Sequence, residues 1–231
     1  MAEEVNNLYF MVTNNPLDGL VEYPEKFDED YNHTGFLITT AECAHYFYEN
    51  GDNLRVVELP FNDPDFRMVQ PKFSLNHRVN KLILKEKYPL SDVMTYLKFN
   101  LKFPTFAYLG KHGYLSIIIY LINENRATDG DKYRALVEAA EFGYLDIVKY
   151  IIESGINRRN SDIMCCAARS GHLDIVKYLF EKAPHRNTII NTSGKINVHI
   201  YDNYALRTSL AKDYMDLVCY LVEKGARIDP F

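Results

Sequence analysis

Two segments of the chain share one pattern of apolar and polar positions. The segment GYLDIVKYII occupies Gly143–Ile152, and GHLDIVKYLF occupies Gly171–Phe180. In both, the apolar residues recur three or four positions apart, which is the spacing of one face of an α-helix. Weaker copies, GYLSIIIYLI and DYMDLVCYLV, occupy Gly113–Ile122 and Asp213–Val222. The pattern predicts four amphipathic helices that belong to an internal repeat with a period of about 30 residues.

A shorter helix is predicted before each of these segments. The runs ALVEAAEFG at Ala135–Gly143 and IMCCAARSG at Ile163–Gly171 are rich in small residues, which let paired helices pack closely. FAYLGKHG and ALRTSLAKD stand at the same place in the weaker copies. After the second helix, ESGIN, EKAPH and EKGARID supply a glycine or an equivalent residue that ends the helix. The predicted unit is therefore helix, tight turn, helix and loop.

The paired alanines, the Gly-His turn, the Leu-Asp-Ile-Val run and the later Gly-Ala resemble the ankyrin repeat. The Thr-Pro-Leu-His segment that usually opens the first helix in that family is replaced by RALV, DIMC and YALR. The resemblance implies an all-α helical solenoid of about four divergent repeats. These repeats are expected near residues 104–125, 132–157, 160–185 and 201–229.

The third and fourth repeats are separated by a longer gap that has too few extra residues for another repeat. Within residues 186–200, Ile196, Val198 and Ile200 alternate with other residues after a Ser-Gly pair. Alternation of this kind after a turn is typical of a β-hairpin. We therefore predict a hairpin insertion at 186–200, whose role in function the pattern leaves open.

Residues 1–88 follow a different pattern, with strand-like runs in place of helical repeats. NLYFMVTN, TGFLIT and NLRVVELP predict strands, and VEYPEKFDEDYNHT predicts an exposed acidic loop. TTAECAHYFYENG predicts a helix with a capping box formed by Thr39 and Glu42. FRMVQP and NKLILKEK predict edge elements, and Pro89–Phe103 predicts a helix that leads into the repeats. The predicted fold class is a small α+β domain over 1–88 followed by the all-α repeat domain over 89–231.

The order GF.ITTAECAHYFYENG..LRVVELP, followed by NKLILKEKYPL, resembles a small module that precedes ankyrin arrays in proteins of giant DNA viruses such as mimivirus. This resemblance spans roughly Leu8–Leu90. It implies a viral protein in the cytoplasm of a host cell, and it leaves a place in the virion open. It implies no activity for the module.

The charge and hydropathy of the chain exclude several kinds of partner. The net charge of the 231 residues is −5, so no overall attraction to nucleic acid or to anionic membranes is expected. The longest apolar run, Ile117–Ile122, is too short to span a bilayer, and MAEEVNNLYF lacks the features of a signal peptide. We therefore expect a soluble intracellular protein that binds neither nucleic acid nor membrane. These features do not predict its oligomeric state.

No pattern of cysteines or histidines points to a metal or redox site. Cys43, Cys165, Cys166 and Cys219 show no CxxC spacing, and the adjacent pair lies within a helical pattern. Reduced structural thiols are therefore expected. His172 stands in the Gly-His turn of a repeat, where a structural role is expected.

The sequence contains no nucleotide-binding, metalloprotease, hydrolase or calcium-loop motif. We therefore predict a protein that is not an enzyme, with no catalytic residues, cofactor or metal. One alternative stays open, because the order strand, GF strand, helix and strand is similar to the core of diphtheria-toxin-like ADP-ribosyltransferases. That family holds NAD through a His or Arg on one strand and a Tyr or Ser on another. Here LYFMVT has no His and Phe36 stands where a Tyr-Phe pair is expected, so the alternative is a distant or decayed relative targeted by the repeats.

A solenoid presents a concave face of first helices and turns, which suits it to binding another protein. By resemblance to ankyrin repeats, the two residues before each turn glycine project onto that face, and Phe142 is the expected anchor because aromatic residues dominate interface hot spots. The predicted function is a scaffold or adaptor for a host or viral protein, and the arginines favour a partner with an acidic patch near them. A structural virion protein is left open. The expected partner-binding residues are Lys111, His112, Glu141, Phe142, Arg158, Arg159, Arg169, Ser170 and Lys212.

Two sets of recurring residues are expected to be structural. A tyrosine recurs at one position of each second helix, where its ring should pack between neighbouring repeats with the hydroxyl at the surface. Paired alanines recur in the first helices, where they should lie at helix contacts. The residues are Tyr120, Tyr150, Tyr178 and Tyr220, and Ala139, Ala140, Ala167 and Ala168.

Overall fold

The computed structural model describes residues 8–23, 27, 34–71, 74–156, 160–181 and 200–227. The chain divides into two compact units, Met1–Pro104 and Thr105–Phe231. The first contains the β-strands, and the second contains the helical repeats. The predicted fold class is confirmed: antiparallel β-sheets with short helices are followed by a helical repeat region.

Two antiparallel sheets form the first unit. In the larger sheet the strands lie in the order β1-β4-β7-β2, and in the smaller sheet the order is β3-β6-β5. Every neighbouring pair is antiparallel. The strands are β1 Tyr9–Thr13, β2 Gly19–Glu22, β3 Phe36–Ile38, β4 Asn53–Glu58, β5 Met68–Val69, β6 His77–Val79 and β7 Lys81–Pro89.

The core of this unit lies where inward-facing residues of several strands meet. Leu82 and Leu84 of β7 are buried together with Val57 of β4, Ile38 of β3 and Val79 of β6. Alternate residues of a strand point to opposite faces, so the period-two spacing in β7 buries one side of that strand. The prediction that NKLILKEK is an edge element is wrong, because β7 pairs with β4 on one side and with β2 on the other.

The predicted capping box is also wrong. Backbone hydrogen bonds of 2.8 and 2.9 Å pair Thr39 with Phe10 of β1, so Thr39 belongs to the extended chain and does not open a helix. A 3₁₀ helix follows at Ala44–Asn50, and it has no side-chain cap. Strands β2 and β6 were not predicted, because each is short. The predicted acidic loop is wrong at its first two residues, since Val21 and Glu22 belong to β2.

The helix predicted within Pro89–Phe103 is α1, Val93–Lys98, and it packs within the first unit. The hydroxyl of Tyr96 donates a 2.7 Å hydrogen bond to the carbonyl oxygen of Leu90. The ring of Phe99, just after α1, lies 5.1 Å from the ring of Phe10. These contacts explain why the first unit extends beyond the predicted boundary at residue 88.

Eight helices form four pairs in the described part of the second unit. We refer to the pairs as repeats 1 to 4. The first helices pack side by side in the order α2, α4, α6 and α8, and each packs on the second helix of its own repeat. The helices are α2 Phe106–Lys111, α3 Leu115–Asn123, α4 Asp129–Phe142, α5 Leu145–Glu153, α6 Asn160–Arg169, α7 Leu173–Glu181, α8 Ile200–Ala211 and α9 Met215–Glu223.

Local sequence sets the start of α4. The Thr128 hydroxyl accepts a hydrogen bond from the backbone N–H of Asp131, and the Asp131 carboxylate accepts one from the backbone N–H of Thr128. This reciprocal capping box satisfies two N–H groups that a helix start otherwise leaves unpaired. Hydrogen bonds from Thr128 lower the pKa of the Asp131 carboxyl.

The hairpin prediction fails at its last residue. Ile200 begins helix α8, so the alternation that includes it does not continue as a strand. The rest of the predicted insertion, 186–199, lies outside the described residues. The predicted helix contacts are found, since Ala139, Ala140, Ala167 and Ala168 are all fully buried.

Candidate protein-interaction surface

The surface begins with the turn between the two helices of each repeat. Gly113, Gly143 and Gly171 have φ values of 75°, 87° and 83°, and Asp213 takes the same left-handed conformation in repeat 4 with φ 60°. The residue after each of them donates its backbone N–H to a carbonyl of the first helix. For Tyr144 the acceptor is Ala139, at 2.9 Å. Each first helix therefore ends at the same backbone geometry, which aligns the residues before the turns.

An aromatic ring from the next repeat covers each turn glycine in repeats 1 to 3. His172 covers Gly143, and its Nε2 lies 2.9 Å from the backbone oxygen of Glu141. Tyr214 covers Gly171 in the same way. The role of His172 is therefore to join repeats 2 and 3, as a structural histidine.

The predicted contact residues lie at the C-terminal ends of the first helices and in the turns that follow. Phe142 is the last residue of α4 and is 48% exposed. The residues before the turns of neighbouring repeats lie next to one another, because the first helices pack side by side. Three of the predicted residues lie at or next to the end of a first helix: Lys111, Glu141 and Arg169. Three others lie in the turns: His112, Ser170 and Lys212. Two lie outside the described residues: Arg158 and Arg159.

Arg169 is paired within this surface. Its Nη2 lies 2.9 Å from the Oε2 of Glu141 on α4, and its side chain also hydrogen-bonds to Tyr204 on α8. The Glu141 carboxylate raises the pKa of the guanidinium. Arg169 therefore connects three consecutive repeats. Because Glu141 balances its charge, Arg169 gives less support to an acidic partner than the sequence indicates.

The second helices of the repeats carry the recurring tyrosines. The Tyr178 hydroxyl donates to Glu153 Oε1 of the preceding repeat at 3.2 Å, and the Tyr150 hydroxyl donates to Asn123 Oδ1 at 3.4 Å. Lys149 Nζ lies 5.8 Å from the centre of the Tyr178 ring. These contacts support the prediction that the tyrosines pack between neighbouring repeats, but Tyr178 is buried and does not have its hydroxyl at the surface.

We expect Tyr178 to make stability depend on pH in alkaline solution. Burial, and then Glu153, raises the pKa of Tyr178 to about 12. Since this is above the value of about 10 in an unfolded chain, its contribution is present below about pH 10 and is lost as the pH rises toward 12. Urea unfolding from pH 8 to 12 should show a smaller loss for Tyr178→Phe than for the natural protein. Tyr150→Phe serves as the control, and an equal change in both variants would contradict the assignment to Tyr178.

The four cysteines differ in how far they are buried. All four cysteines are free; Cys43 and Cys165 are buried, Cys166 is half-buried and Cys219 is exposed. Burial raises the pKa of Cys165 to about 11 and also raises the pKa of Cys166, so both are weak nucleophiles near neutral pH. Among the residues that the structure describes, no three His, Cys, Asp or Glu side chains group as a metal site would require. None of the described helices has the length and apolar character needed to cross a membrane.

The repeats match a known family. A family model described as ankyrin repeats (many copies) matches residues 136–180, which run from α4 to α7. The chain contains ankyrin repeats. Ankyrin repeats generally mediate protein–protein interactions and are typically non-enzymatic, and no catalytic domain is identified in the matched region.

Similar ankyrin repeat proteins occur in Acanthamoeba polyphaga mimivirus. One is 32% identical over 150 residues, which cover 63% of this chain and 38% of the relative. A second is 28% identical over 164 residues, covering 66% of this chain and 70% of the relative. A third is 32% identical over 151 residues, covering 61% and 46%. The matched part is therefore less than half the length of two of these three relatives.

One residue and one contact at this surface were not predicted from the sequence. Tyr204 was not singled out, although it lies on α8 and reaches Arg169. The pairing of Glu141 with Arg169 was also missed. Their opposite charges stand at the same position of neighbouring repeats, and this is the sequence signal that could have indicated a contact.

Proposed function

We propose that this ankyrin repeat protein is an interaction module, a scaffold or adaptor that binds a host or viral protein in the cytoplasm of an infected cell. The proposed binding surface is the concave face formed by the first helices and their turns. The viral relatives support the setting, and the general role of ankyrin repeats supports binding to a protein. Nothing in the described residues adds support for the ADP-ribosyltransferase alternative.

The observation that carries this proposal is the position of Phe142. Its side chain is 48% exposed at the end of α4. The equivalent residues in the other repeats are His112, Ser170 and Lys212, so the repeat geometry does not require an aromatic residue here. Aromatic side chains are frequent anchors at interface hot spots. We therefore assign Phe142 as the anchor, with its three equivalents as flanking contacts.

Site-specific photo-crosslinking tests the surface. A benzophenone amino acid at position 142 should capture a protein from infected cells, whereas the same group at Asp146 should not capture it. Asp146 is exposed on α5 of the same repeat. Capture of the same proteins at both positions would argue against a defined site at Phe142.

With the partner purified, Phe142→Ala should weaken binding by at least about fivefold, which is about 1 kcal/mol. Val222→Ala, which truncates an equally exposed apolar residue on α9, should leave the affinity unchanged. Isothermal titration calorimetry measures both, and unchanged affinity for Phe142→Ala would move the site elsewhere.

Single substitution of Arg169 is a poor test, because it breaks the pair with Glu141. The double variant Glu141→Arg/Arg169→Glu keeps a reversed pair and tests the charges themselves.

A further inference from the structure

Repeat 4 differs from the other three repeats at two positions. The first position lies three residues before the turn residue, and the second is the turn residue itself. Repeats 1 to 3 have at most a methyl group at these positions, whereas repeat 4 has a longer side chain at both. The residues at the first position are Gly110, Ala140, Ala168 and Leu210, and those at the second are Gly113, Gly143, Gly171 and Asp213.

The first position lies against the following repeat. A Cβ atom added to Gly110 would lie 2.9 Å from the backbone Cα and C atoms of Ala135 in α4. Ala140 and Ala168 are fully buried. The carbonyl oxygen of Ala168 lies 3.5 Å from the Ser209 hydroxyl of α8, which donates to it. The space at this position therefore accepts no more than a methyl group when another first helix packs beside it.

The second position lies under the ring of the following repeat. A Cβ atom at Gly143 would lie 2.7 Å from Cε1 of His172, and one at Gly171 would lie 3.0 Å from the ring of Tyr214. Real Cβ atoms rarely approach other atoms so closely. Asp213 has such a Cβ atom, in the same left-handed conformation. A ring stacked on repeat 4 in this way would therefore meet the Asp213 side chain.

We propose that Leu210 and Asp213 make repeat 4 a terminal repeat, whose outer face rejects a further ankyrin repeat stacked in the same register. Leu210 occupies the space that the next first helix would need, and Asp213 occupies the space of the next ring. The two obstacles are independent, since one acts on the distance between helices and the other on the turn. Because helix contacts pack at high density, an added first helix would have to move away from Leu210, and the added ring would have to move away from Asp213.

The second helix of repeat 4 carries apolar side chains that are exposed. In repeat 3, the ring of Phe180 lies 6.2 Å from the ring of Tyr220 in the following repeat. The equivalent residue in repeat 4, Val222, is 53% exposed. Met215, at the start of α9, is 51% exposed.

A repeat-extension experiment tests the proposal. Residues after Glu223 are replaced by a second copy of residues 154–181, which follow repeat 2 in the natural chain and comprise repeat 3 and the turn before it. The copy joins in register, because Gly155 and Gly225 follow their helices at equivalent positions with φ values of 87° and 98°. The same extension is made on the Leu210→Ala/Asp213→Gly background. Limited trypsin digestion followed by intact-mass measurement reports whether the added repeat is docked.

We expect trypsin to cleave the added repeat rapidly from the protein that keeps Leu210 and Asp213. Cleavage from the double variant should be at least about tenfold slower, because cleavage follows the population of the undocked form. Equal cleavage rates in the two proteins, whether fast or slow, would overturn the proposal. The same double variant without the extension is the control, and it should keep repeat 4 as resistant as in the natural chain.

A reverse transfer gives a second, independent measurement. Ala168→Leu/Gly171→Asp places the two side chains in repeat 3, where repeat 4 normally packs. We expect trypsin to release repeat 4 from this variant about tenfold or more faster than from the natural protein. An unchanged rate would show that the two side chains do not block stacking, and it would overturn the proposal even if the extended proteins fail to fold.

Discussion

Replacement of Gly110 by alanine is expected to lower the free energy of unfolding of the helical unit by at least about 2 kcal/mol. The sign is opposite to that of helix propensity, since alanine normally stabilises a helix interior by about 1 kcal/mol relative to glycine. Gly110 is fully enclosed in α2, and an added Cβ would overlap the backbone oxygen of Ala135 in α4. A backbone oxygen cannot rotate away as a side chain can, so the two helices would have to separate and lose buried contact.

Gly130→Ala is the matched control for Gly110→Ala. Gly130 also lies in a helix, α4, but the nearest atom to an added Cβ is the Thr128 hydroxyl oxygen at an ordinary contact distance of 3.6 Å. This substitution should be neutral or stabilising by up to about 1 kcal/mol. Urea unfolding followed by circular dichroism measures both variants. A loss of stability of the same size in both would show that the contact between α2 and α4 does not limit the side chain at position 110.

The helical repeats were predictable because each signal lies within one short segment. The 3.6-residue spacing of Leu145, Val148 and Ile152 is visible in the sequence of α5 alone, and the left-handed turn before α5 is indicated by its glycine. The strand arrangement was less predictable, because the central position of β7 depends on pairing with β2 and β4. Lys85 and Glu86 make the end of that strand resemble an edge, although its first half contributes Leu82 to the core.

The failed capping box has a similar cause. Thr39 followed by Glu42 satisfies the local rule for a helix start, but the backbone groups of Thr39 pair instead with Phe10, which is far away in sequence. The surface shows the same limit. The charges of Glu141 and Arg169 are visible in the sequence, whereas their 2.9 Å contact depends on the distance between α4 and α6. Side chains that look available for a partner can therefore already be paired between repeats.

Replacement of Gly143 by alanine is expected to lower the free energy of unfolding by about 2 to 5 kcal/mol, through two separate effects. The left-handed conformation at φ 87° costs an L-residue about 1 to 2 kcal/mol. In addition, the new Cβ would lie 2.7 Å from Cε1 of His172, which should add about 1 to 3 kcal/mol of overpacking. The second effect also disturbs the contact of His172 with the Glu141 backbone, so repeats 2 and 3 are pushed apart at the turn.

Gly155→Ala separates these two effects, because Gly155 has the same φ of 87° and no atom within 4 Å of an added Cβ. We expect this variant to lose only the conformational part, about 1 to 2 kcal/mol, in the same urea titration. Adding His172→Ala to each glycine variant completes two double-mutant cycles. The overpacking caused by Gly143→Ala should disappear when His172→Ala is also present, whereas Gly155→Ala and His172→Ala should show no coupling energy. Equal losses for the two glycine variants would mean that the ring moves aside freely. In that case the turn would depend on glycine for its backbone conformation alone, and Asp213 would be no obstacle to a further repeat.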